Sequence, residues 1–284
     1  MEPQTTRTIA IINQKGGVGK TTTAVNLAAA LAAAGQRVWL IDLDPQAHAS
    51  LHLGLVVDDG QKSIYQVLTG ETSLADVRLR ASEHLWVTPS HLDLAAAELE
   101  LAGEVGREMI LRDRLSGDAA CFDFVILDCP PSLGVLTTNA LTCATEVFLP
   151  LQPHFFALHG LSKLLRTIDI VARRLNRGLR LTGVLYCMAE SGTRLATEVM
   201  GDVSDFFERA RQQQTIWADA RVFETRIRKN IRLAEAPGFG QSILEYAPQS
   251  HGSEDYQALA HEVREMILRP ARQGASPQPW RAAA

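Results

Sequence analysis

The chain alternates between short, almost wholly apolar runs and longer stretches in which apolar residues recur every three or four positions. The short runs are rich in Val, Ile and Leu, which is typical of strands that are buried on both faces of a parallel sheet. These runs predict six strands, at residues 7–13, 37–42, 84–88, 122–127, 145–151 and 181–188.

The longer stretches predict helices between the strands. After the first strand, apolar side chains recur with the spacing of one helix face, and Gly35 ends the pattern. Those side chains belong to Ala24, Leu27, Ala28 and Leu31. Further helices are predicted at about residues 94–115, 161–175, 193–212 and 254–268. Strands that alternate with helices in this way form βαβ units, whose strands pair in parallel.

We therefore predict one doubly wound α/β domain over residues 7–268, with a mostly parallel sheet flanked by helices. Residues 1–6 are predicted to be disordered, and residues 269–284, which are rich in Pro, Ala and Gly, to form a mobile tail. Hydrophobic residues make up 46% of the 284 positions and charged residues 21%, which excludes disorder as the main state. The four cysteines form no C-x-x-C pair, and the start of the chain has no apolar signal core, so a cytoplasmic protein is predicted.

A glycine-rich turn joins the first predicted strand to the first predicted helix. It reads Lys15-Gly16-Gly17-Val18-Gly19-Lys20-Thr21-Thr22. Glycines let the backbone wrap closely around phosphate oxygens, and the helix N-terminus attracts the anion. Lys20 is placed to bind the β- and γ-phosphates of a nucleotide, and the Thr21 hydroxyl to bind Mg²⁺. The general motif G-x-x-x-x-G-K-[ST] requires glycine at position 14, where this chain has Gln14 followed by an additional lysine.

Two aspartates follow predicted strands. Asp44 stands two positions after the second strand, and Asp128 comes directly after the strand at residues 122–127. A carboxylate at the end of a buried strand requires a cation or donors, and water-mediated Mg²⁺ is the natural partner of Asp128. Taken alone, each aspartate fits a helix cap or a turn equally well; the phosphate loop in the same sheet favours a functional role. Asp42 is the weaker candidate and is predicted to be structural.

The turn with its leading lysine resembles the deviant Walker A loop of the ParA/MinD class of ATPases. The resemblance covers residues 7–268 and includes three further segments. Within the class, these segments look like the chromosomal, Soj-like ParA proteins. They are NALT at residues 139–142, FFALHGL at residues 155–161 and NIRLAEAP at residues 230–237.

The resemblance implies a P-loop ATPase fold with ATP and Mg²⁺ as cofactors. It places Lys15, Lys20 and Asp44 in catalysis: Lys15 reaches across an ATP-dependent homodimer to the partner's nucleotide, and Asp44 orients the attacking water. Thr21, Asp44 and Asp128 are the implied Mg²⁺ residues, the two aspartates through water. Asn230 is placed at the adenine, although the Pro-Arg-Asn that is frequent in the family reads Arg-Lys-Asn here.

Two basic clusters stand out in a chain of net charge −4. Residues 221–232 hold five basic residues and one acidic residue, and residues 163–180 hold six and one. A single run of this kind is usually a solvated face; two of them favour contact with phosphate backbones. The resemblance implies non-specific DNA binding and places Arg232 at the position of a DNA-binding arginine. A second such position holds Gly192, with Arg194 nearby as a substitute; Arg228 and Lys229 are further candidates.

These observations predict a nucleoid-associated partition ATPase that segregates chromosome or plasmid DNA together with a ParB-like activator. An operator-reading N-terminal domain is not expected, because only about six residues precede the first strand. The alternatives are a ParA-like ATPase that positions a chemotaxis array or another assembly, a MinD-like protein, and a metabolic P-loop enzyme such as an amidating synthase or an iron–sulfur reductase. The mixed charge of the last helix argues against a membrane anchor, and Cys129 has no suitably placed cysteine for a cluster.

Overall fold

The computed structural model describes residues 6–58, 60–154, 157–189, 194–211 and 215–266. The segment predicted to be disordered and the predicted tail therefore lie almost entirely outside the described residues. Among the described helices, none is long and apolar enough to cross a membrane.

The strands form one sheet of eight strands within this part of the chain. They are β1 (Arg7–Ile11), β2 (Val38–Asp42), β3 (Leu79–Arg80), β4 (Leu85–Thr88), β5 (Phe124–Asp128), β6 (Glu146–Leu151), β7 (Arg180–Ala189) and β8 (Arg221–Arg228). Their order is β3-β4-β2-β5-β1-β6-β7-β8. β3 pairs with β4 in antiparallel fashion, and every other neighbouring pair is parallel.

Helices cover both faces of the sheet. They are α1 (Lys20–Ala33), α2 (His48–His52), α3 (Ile64–Leu68), α4 (Leu74–Val77), α5 (Leu94–Glu100), α6 (Ile110–Leu115), α7 (Val135–Cys143), α8 (Ala157–Arg174), α9 (Arg194–Ala210), α10 (Ile231–Glu235), α11 (Ile243–Tyr246) and α12 (His251–Glu265). Two separate hydrophobic clusters fill the two faces. One contains side chains of α3 to α9, and the other contains side chains of α1, α2, α11 and α12. The doubly wound, mostly parallel α/β fold is thus confirmed.

All six predicted strands are present, and the structure adds two that were not predicted, β3 and β8. The helix predicted at residues 94–115 is wrong as a single element, because it is divided into α5, two 3₁₀ turns and α6. Gly106, with a φ of 78°, supports a left-handed turn that an α-helix cannot contain. β8 was missed because charged residues at every second or third position interrupt the apolar pattern of this edge strand. The helix α7 was missed as well.

The C-terminal helix covers the edge strand β8. The Glu262 carboxylate accepts hydrogen bonds from the backbone N–H groups of Glu224 (2.9 Å) and Thr225 (3.1 Å). Asp255, seven residues earlier on the same face of α12, accepts one from the N–H of Arg228 at 2.8 Å. These carboxylates occupy donors that an edge strand otherwise presents to other chains.

His52, at the end of α2, is buried, and its Nε2 atom has no hydrogen-bond partner among the described residues. Burial lowers the pKa of His52 from 6.5 to about 4, because the imidazolium form is poorly solvated there. Between these two pH values the unfolded chain binds a proton that the folded chain excludes. The folded state therefore loses stability as the pH falls from 6.5 towards 4.

We predict that His52→Leu removes this part of the acid sensitivity. The free energy of unfolding of the variant, relative to that of the wild type, should rise by up to about 3 kcal/mol between pH 7 and pH 4. Urea denaturation at a series of pH values measures the difference. A difference that stays constant over this range would contradict the assignment.

Candidate functional site

The turn that joins β1 to α1 lies at the carboxyl edge of the sheet, where the strand order reverses. β1 is flanked by β5 on one side and by β6 on the other, and crevices at such reversals bind ligands in open α/β sheets. Within the turn, Gly17 and Gly19 have φ angles of 70° and 94°. Glycine adopts this left-handed backbone without steric cost, so the sequence of the turn is matched to its path.

The first turn of α1 is suited to an anion. Gly19 is the N-cap residue, no side chain caps the helix, and its first turn holds no acidic residue. The first N–H groups of a helix have no partner within it, and its N-terminus carries a partial positive charge. A Cβ atom added at Gly16 or Gly17 would meet no atom within 4 Å, so the outer side of the loop is open within the described protomer.

Lys20 lies inside this loop and is 7% exposed. Its Nζ atom donates to the carbonyl oxygen of Lys15 at 3.2 Å. Burial lowers the pKa of Lys20, whereas the carboxylates of Asp128 and Asp44 raise it. The cation is therefore held between the loop backbone and two acidic groups, which is the position expected of a lysine that binds phosphates.

Asp42 and Asp128 lie side by side at the ends of β2 and β5, but their surroundings differ. The Oδ1 atom of Asp42 accepts from the N–H of Asp44 at 3.1 Å. Its Oδ2 atom accepts from the N–H (2.9 Å) and the hydroxyl (2.7 Å) of Ser50. Burial raises the pKa of Asp42 to about 6. The hydrogen bonds of Asp42 connect the turn after β2 to α2, in agreement with its predicted structural role.

Asp128 is fully buried, and neither of its carboxylate oxygens has a well-formed hydrogen bond among the described residues. Burial and the neighbouring Asp42 raise the pKa of Asp128 well above its ordinary value, while the nearby Thr21 hydroxyl and Lys20 lower it. A buried carboxylate without donors is costly unless a cation compensates it. Mg²⁺ prefers oxygen ligands and keeps several bound waters. The carboxylate oxygens of Asp128 and the Thr21 hydroxyl beside them are groups of the kind that such a site requires.

Asp44 and Lys15 complete the predicted constellation. Asp44 is 8% exposed, and its Oδ1 atom accepts from the N–H of Gln46 at 3.0 Å. Lys15 is exposed. The N–H group of Lys15 donates to the Oδ1 atom of Asn13 at 3.0 Å, and its Nζ atom contacts the Nε2 atom of His154. The structure thus brings Lys15, Lys20, Asp44 and Asp128 to one edge of the sheet.

Comparison with known proteins places the chain in a family. A protein-family model described as an AAA domain matches residues 6–181. The sporulation initiation inhibitor protein Soj of Bacillus subtilis is 43% identical over 256 residues, which cover 90% of this chain and 97% of that protein. The chromosome partitioning protein ParA of Myxococcus xanthus is 44% identical over 259 residues, 90% of this chain and 87% of that protein. The chain belongs to the Soj/ParA family of P-loop ATPases. The predicted family is confirmed.

A solved structure shares this architecture and holds a nucleotide. The crystal structure of cobyrinic acid a,c-diamide synthase from Mycobacterium smegmatis, with bound ADP and magnesium, is 36% identical to this member of the Soj/ParA family. The TM-score is 0.78, and the match covers 92% of this chain and 94% of that one. The likeness supports the P-loop fold.

Of the residues assigned to adenine and DNA, two lie in the turn between β8 and α10 and one in α10. The Oδ1 atom of Asn230 caps α10 by accepting from the N–H of Arg232 at 2.9 Å. The Arg232 side chain is 54% exposed, and its Nη1 atom pairs with Glu235 at 2.8 Å. Lys229 is exposed and also has an interaction partner. Arg194, at the start of α9, is 94% exposed and pairs with Glu198 at 3.1 Å.

Arg228 is bound more tightly than these three. Its guanidinium donates to both carboxylate oxygens of Asp255, at distances from 2.6 to 3.1 Å, and to Glu254 at 3.0 Å. These acidic partners raise the pKa of Arg228 and compensate its charge. Gly192 lies outside the described residues. The adenine and DNA assignments stay predictions.

Sequence reasoning missed the residues at the end of β6 and just after it that brace the loop. Asn13 donates to the carbonyl oxygen of Pro150 at 2.7 Å, and Gln152 donates to that of Gly17 at 3.0 Å. His154 contacts Lys15. Pro150, Gln152 and His154 stand 135 to 139 positions from their partners, and no motif in the sequence marks them.

Asp42 and Asp128 are both buried, but within the described part of the chain only Asp42 has well-formed hydrogen bonds, so the same substitution at the two positions should have different effects on stability. We predict that Asp128→Asn leaves the nucleotide-free protein at least as stable as the wild type, because neither carboxylate oxygen of Asp128 has a well-formed hydrogen bond to lose among the described residues. Asp42→Asn should destabilise it, because an amide NH₂ would face donors that now bind the carboxylate. Urea denaturation without nucleotide or metal measures both. Destabilisation by Asp128→Asn would show that its oxygens are already satisfied.

Proposed function

We propose that this chain is a DNA-partition ATPase that acts as a nucleotide-controlled switch. The observation that carries the proposal is the loop at residues 15–22. In this member of the Soj/ParA family the loop contains the buried Lys20 and lies beside Asp128, whose carboxylate has no well-formed hydrogen bond to the described residues. Chromosome partitioning proteins of that family match nine-tenths of the chain. We infer that ATP binds with its β- and γ-phosphates in the loop.

The polar groups around the loop support the binding of ATP and Mg²⁺. The N–H groups of the loop and the Lys20 ammonium hold the phosphates. Thr21 would supply a hydroxyl to Mg²⁺, and Asp128 and Asp44 would hold its waters. The metal would neutralise charge on the phosphates. Asp44 orients the water that attacks the γ-phosphate, and Asn230 lies against the adenine.

Dimerisation couples the nucleotide to DNA. Two subunits meet face to face, and Lys15 of each reaches the phosphates bound by the other. The open side of Gly16 and Gly17, where no atom of the described protomer lies within 4 Å of an added Cβ, supports such a close approach. The same closed state binds DNA. A change that favours dimerisation therefore also favours DNA binding, and DNA binding in turn favours dimerisation.

The DNA surface is formed by exposed cations at the edge of the sheet that also holds the loop. Arg194 follows β7, and Lys229 and Arg232 follow β8, and these two strands are parallel neighbours. Contacts to phosphates from these side chains are independent of sequence and sensitive to salt. Arg228 is the weaker contributor, because Asp255 compensates its charge. A ParB-like protein stimulates hydrolysis, and the cargo is chromosome or plasmid DNA.

The likeness to the diamide synthase raises a second function, the ATP-dependent amidation of a carboxylate. Partition is favoured because the partition proteins match with higher identity, 43–44% against 36%. A related switch that positions a non-DNA assembly would use the same nucleotide site and the same cations. ATP turnover that depends on ammonia or glutamine and an added carboxylic acid, and not on DNA, would favour the synthase.

We predict that Asp44→Ala lowers ATP turnover by roughly 100-fold while nucleotide binding persists, because it removes the group that orients water. The ATP-bound dimer should then accumulate in size-exclusion chromatography. Asp58→Ala, which removes an exposed loop carboxylate, is the matched control and should turn over normally. Unchanged turnover in the Asp44 variant would refute its catalytic role.

We predict that Arg232→Ala weakens ATP-dependent DNA binding for every sequence tested. The slope of log affinity against log salt should fall by about 1, as expected for one lost phosphate contact. The measurement is fluorescence anisotropy with ATP, ADP or no nucleotide over a salt series. Arg264→Ala, which alters an exposed arginine of α12, should leave the slope unchanged; an equal slope in both variants would exclude Arg232 from the surface.

A further inference from the structure

The segment at residues 150–154, which includes the end of β6, braces the phosphate loop. Pro150 offers its carbonyl oxygen to Asn13 at 2.7 Å, and Gln152 donates to the carbonyl oxygen of Gly17 at 3.0 Å. Gln152 also contacts the sulfur of Met188 at 2.9 Å, which joins the brace to the end of β7. One contact is to the main chain of the loop at Gly17, and the other is to the side chain of Asn13 at the base of the loop. Both contacts therefore fix the path of the loop.

His154, two positions after Gln152, contacts the loop differently. The Nε2 atom of His154 meets the Nζ atom of Lys15, and no main-chain atom takes part. A neutral imidazole nitrogen accepts a hydrogen bond from an ammonium group. Among the described residues Lys15 has no carboxylate within ion-pair distance, so His154 is the group that holds its charged end.

The surroundings leave the Lys15 side chain with a choice of positions. Lys15 and His154 line a cavity of about 360 Å³ between the loop and α8. Part of its lining is apolar and is formed by Leu149, Leu151, Leu161 and Leu164, and its polar lining includes Asn13, Gln14 and Gln152. The stem of Lys15 is exposed. The side chain can therefore leave His154 without a change in the loop, whose path depends on Pro150 and Gln152.

We propose that His154 is a positioning residue that latches Lys15 onto its own protomer in the nucleotide-free state. An ammonium group that is held by His154 cannot at the same time reach a second subunit. The latch therefore opposes closure of the dimer, and ATP bound by the partner must displace it. This consequence rests on the proposed function, whereas the latch itself does not.

The latch is tested by the reactivity of Lys15 in the nucleotide-free protein. The contact with His154 fixes the side chain and shields its Nζ atom from the acetylating reagent. In His154→Ala, acetylation of Lys15 relative to the exposed Lys62 should rise by roughly threefold or more, the lower end of the effect of losing one hydrogen bond. Peptide mass spectrometry measures the ratio. His154→Gln, which keeps an acceptor, should stay close to the wild type.

Equal Lys15/Lys62 ratios in the wild type and in His154→Ala, with both folded by circular dichroism, would overturn the latch. A ratio that rises equally in His154→Gln would also overturn it, because an acceptor would then make no difference.

Dimerisation separates the latch from the proposed function. With ATP, His154→Ala should dimerise at a roughly threefold lower protein concentration than the wild type, measured by analytical ultracentrifugation. A raised labelling ratio with unchanged dimerisation would support the latch and count against the role of Lys15 across the dimer. An unchanged ratio would refute the latch whatever the dimerisation shows.

Discussion

At the centre of the sheet, the Asp128 carboxylate is fully buried, and the described residues provide no well-formed hydrogen bond to it. A negative charge in such a place must be neutralised by a proton or compensated by a cation. Lys20 supplies part of that compensation, and the carboxylates near Lys20 partly offset the lowering of its pKa by burial. The loop, the N-terminus of α1 and the buried Asp128 thus form one site. Its charges are balanced only when phosphate and a divalent cation bind.

The C-terminal helix gives this arrangement a rigid frame. Through Asp255 and Glu262, α12 satisfies backbone donors of the edge strand β8. On its other side the hydroxyl of Tyr256 lies 3.3 Å from that of Thr23, one turn into α1. The helix therefore connects the strand that precedes Lys229 and Arg232 with the helix that begins at the phosphate loop. One packed element thus joins the phosphate loop to the residues that we propose as the DNA surface.

Much of this could be predicted from the sequence, and the failures have physical causes. Buried parallel strands consist of unbroken apolar runs, so β1, β2, β4, β5, β6 and β7 were found. β8 lies at the edge, where charged side chains at positions such as Arg221 and Glu224 can face solvent, and its pattern resembles a cationic surface. The basic character of Arg228 was visible in the sequence, but its neutralisation by Asp255 was not, because the partner stands 27 positions away.

The sequence by itself determined the fold class, the family and the phosphate loop, because each depends on local patterns: apolar runs of strand length, helical spacing, and glycines whose backbone freedom a tight turn requires. Only the tertiary structure decided which of the two neighbouring aspartates is satisfied and which is not. Ser50 binds Asp42, whereas Asp128 is left for a cation. It also decided that His154 lies on Lys15, 139 positions away, because contacts between distant segments arise from the order of the strands and leave no pattern in the chain.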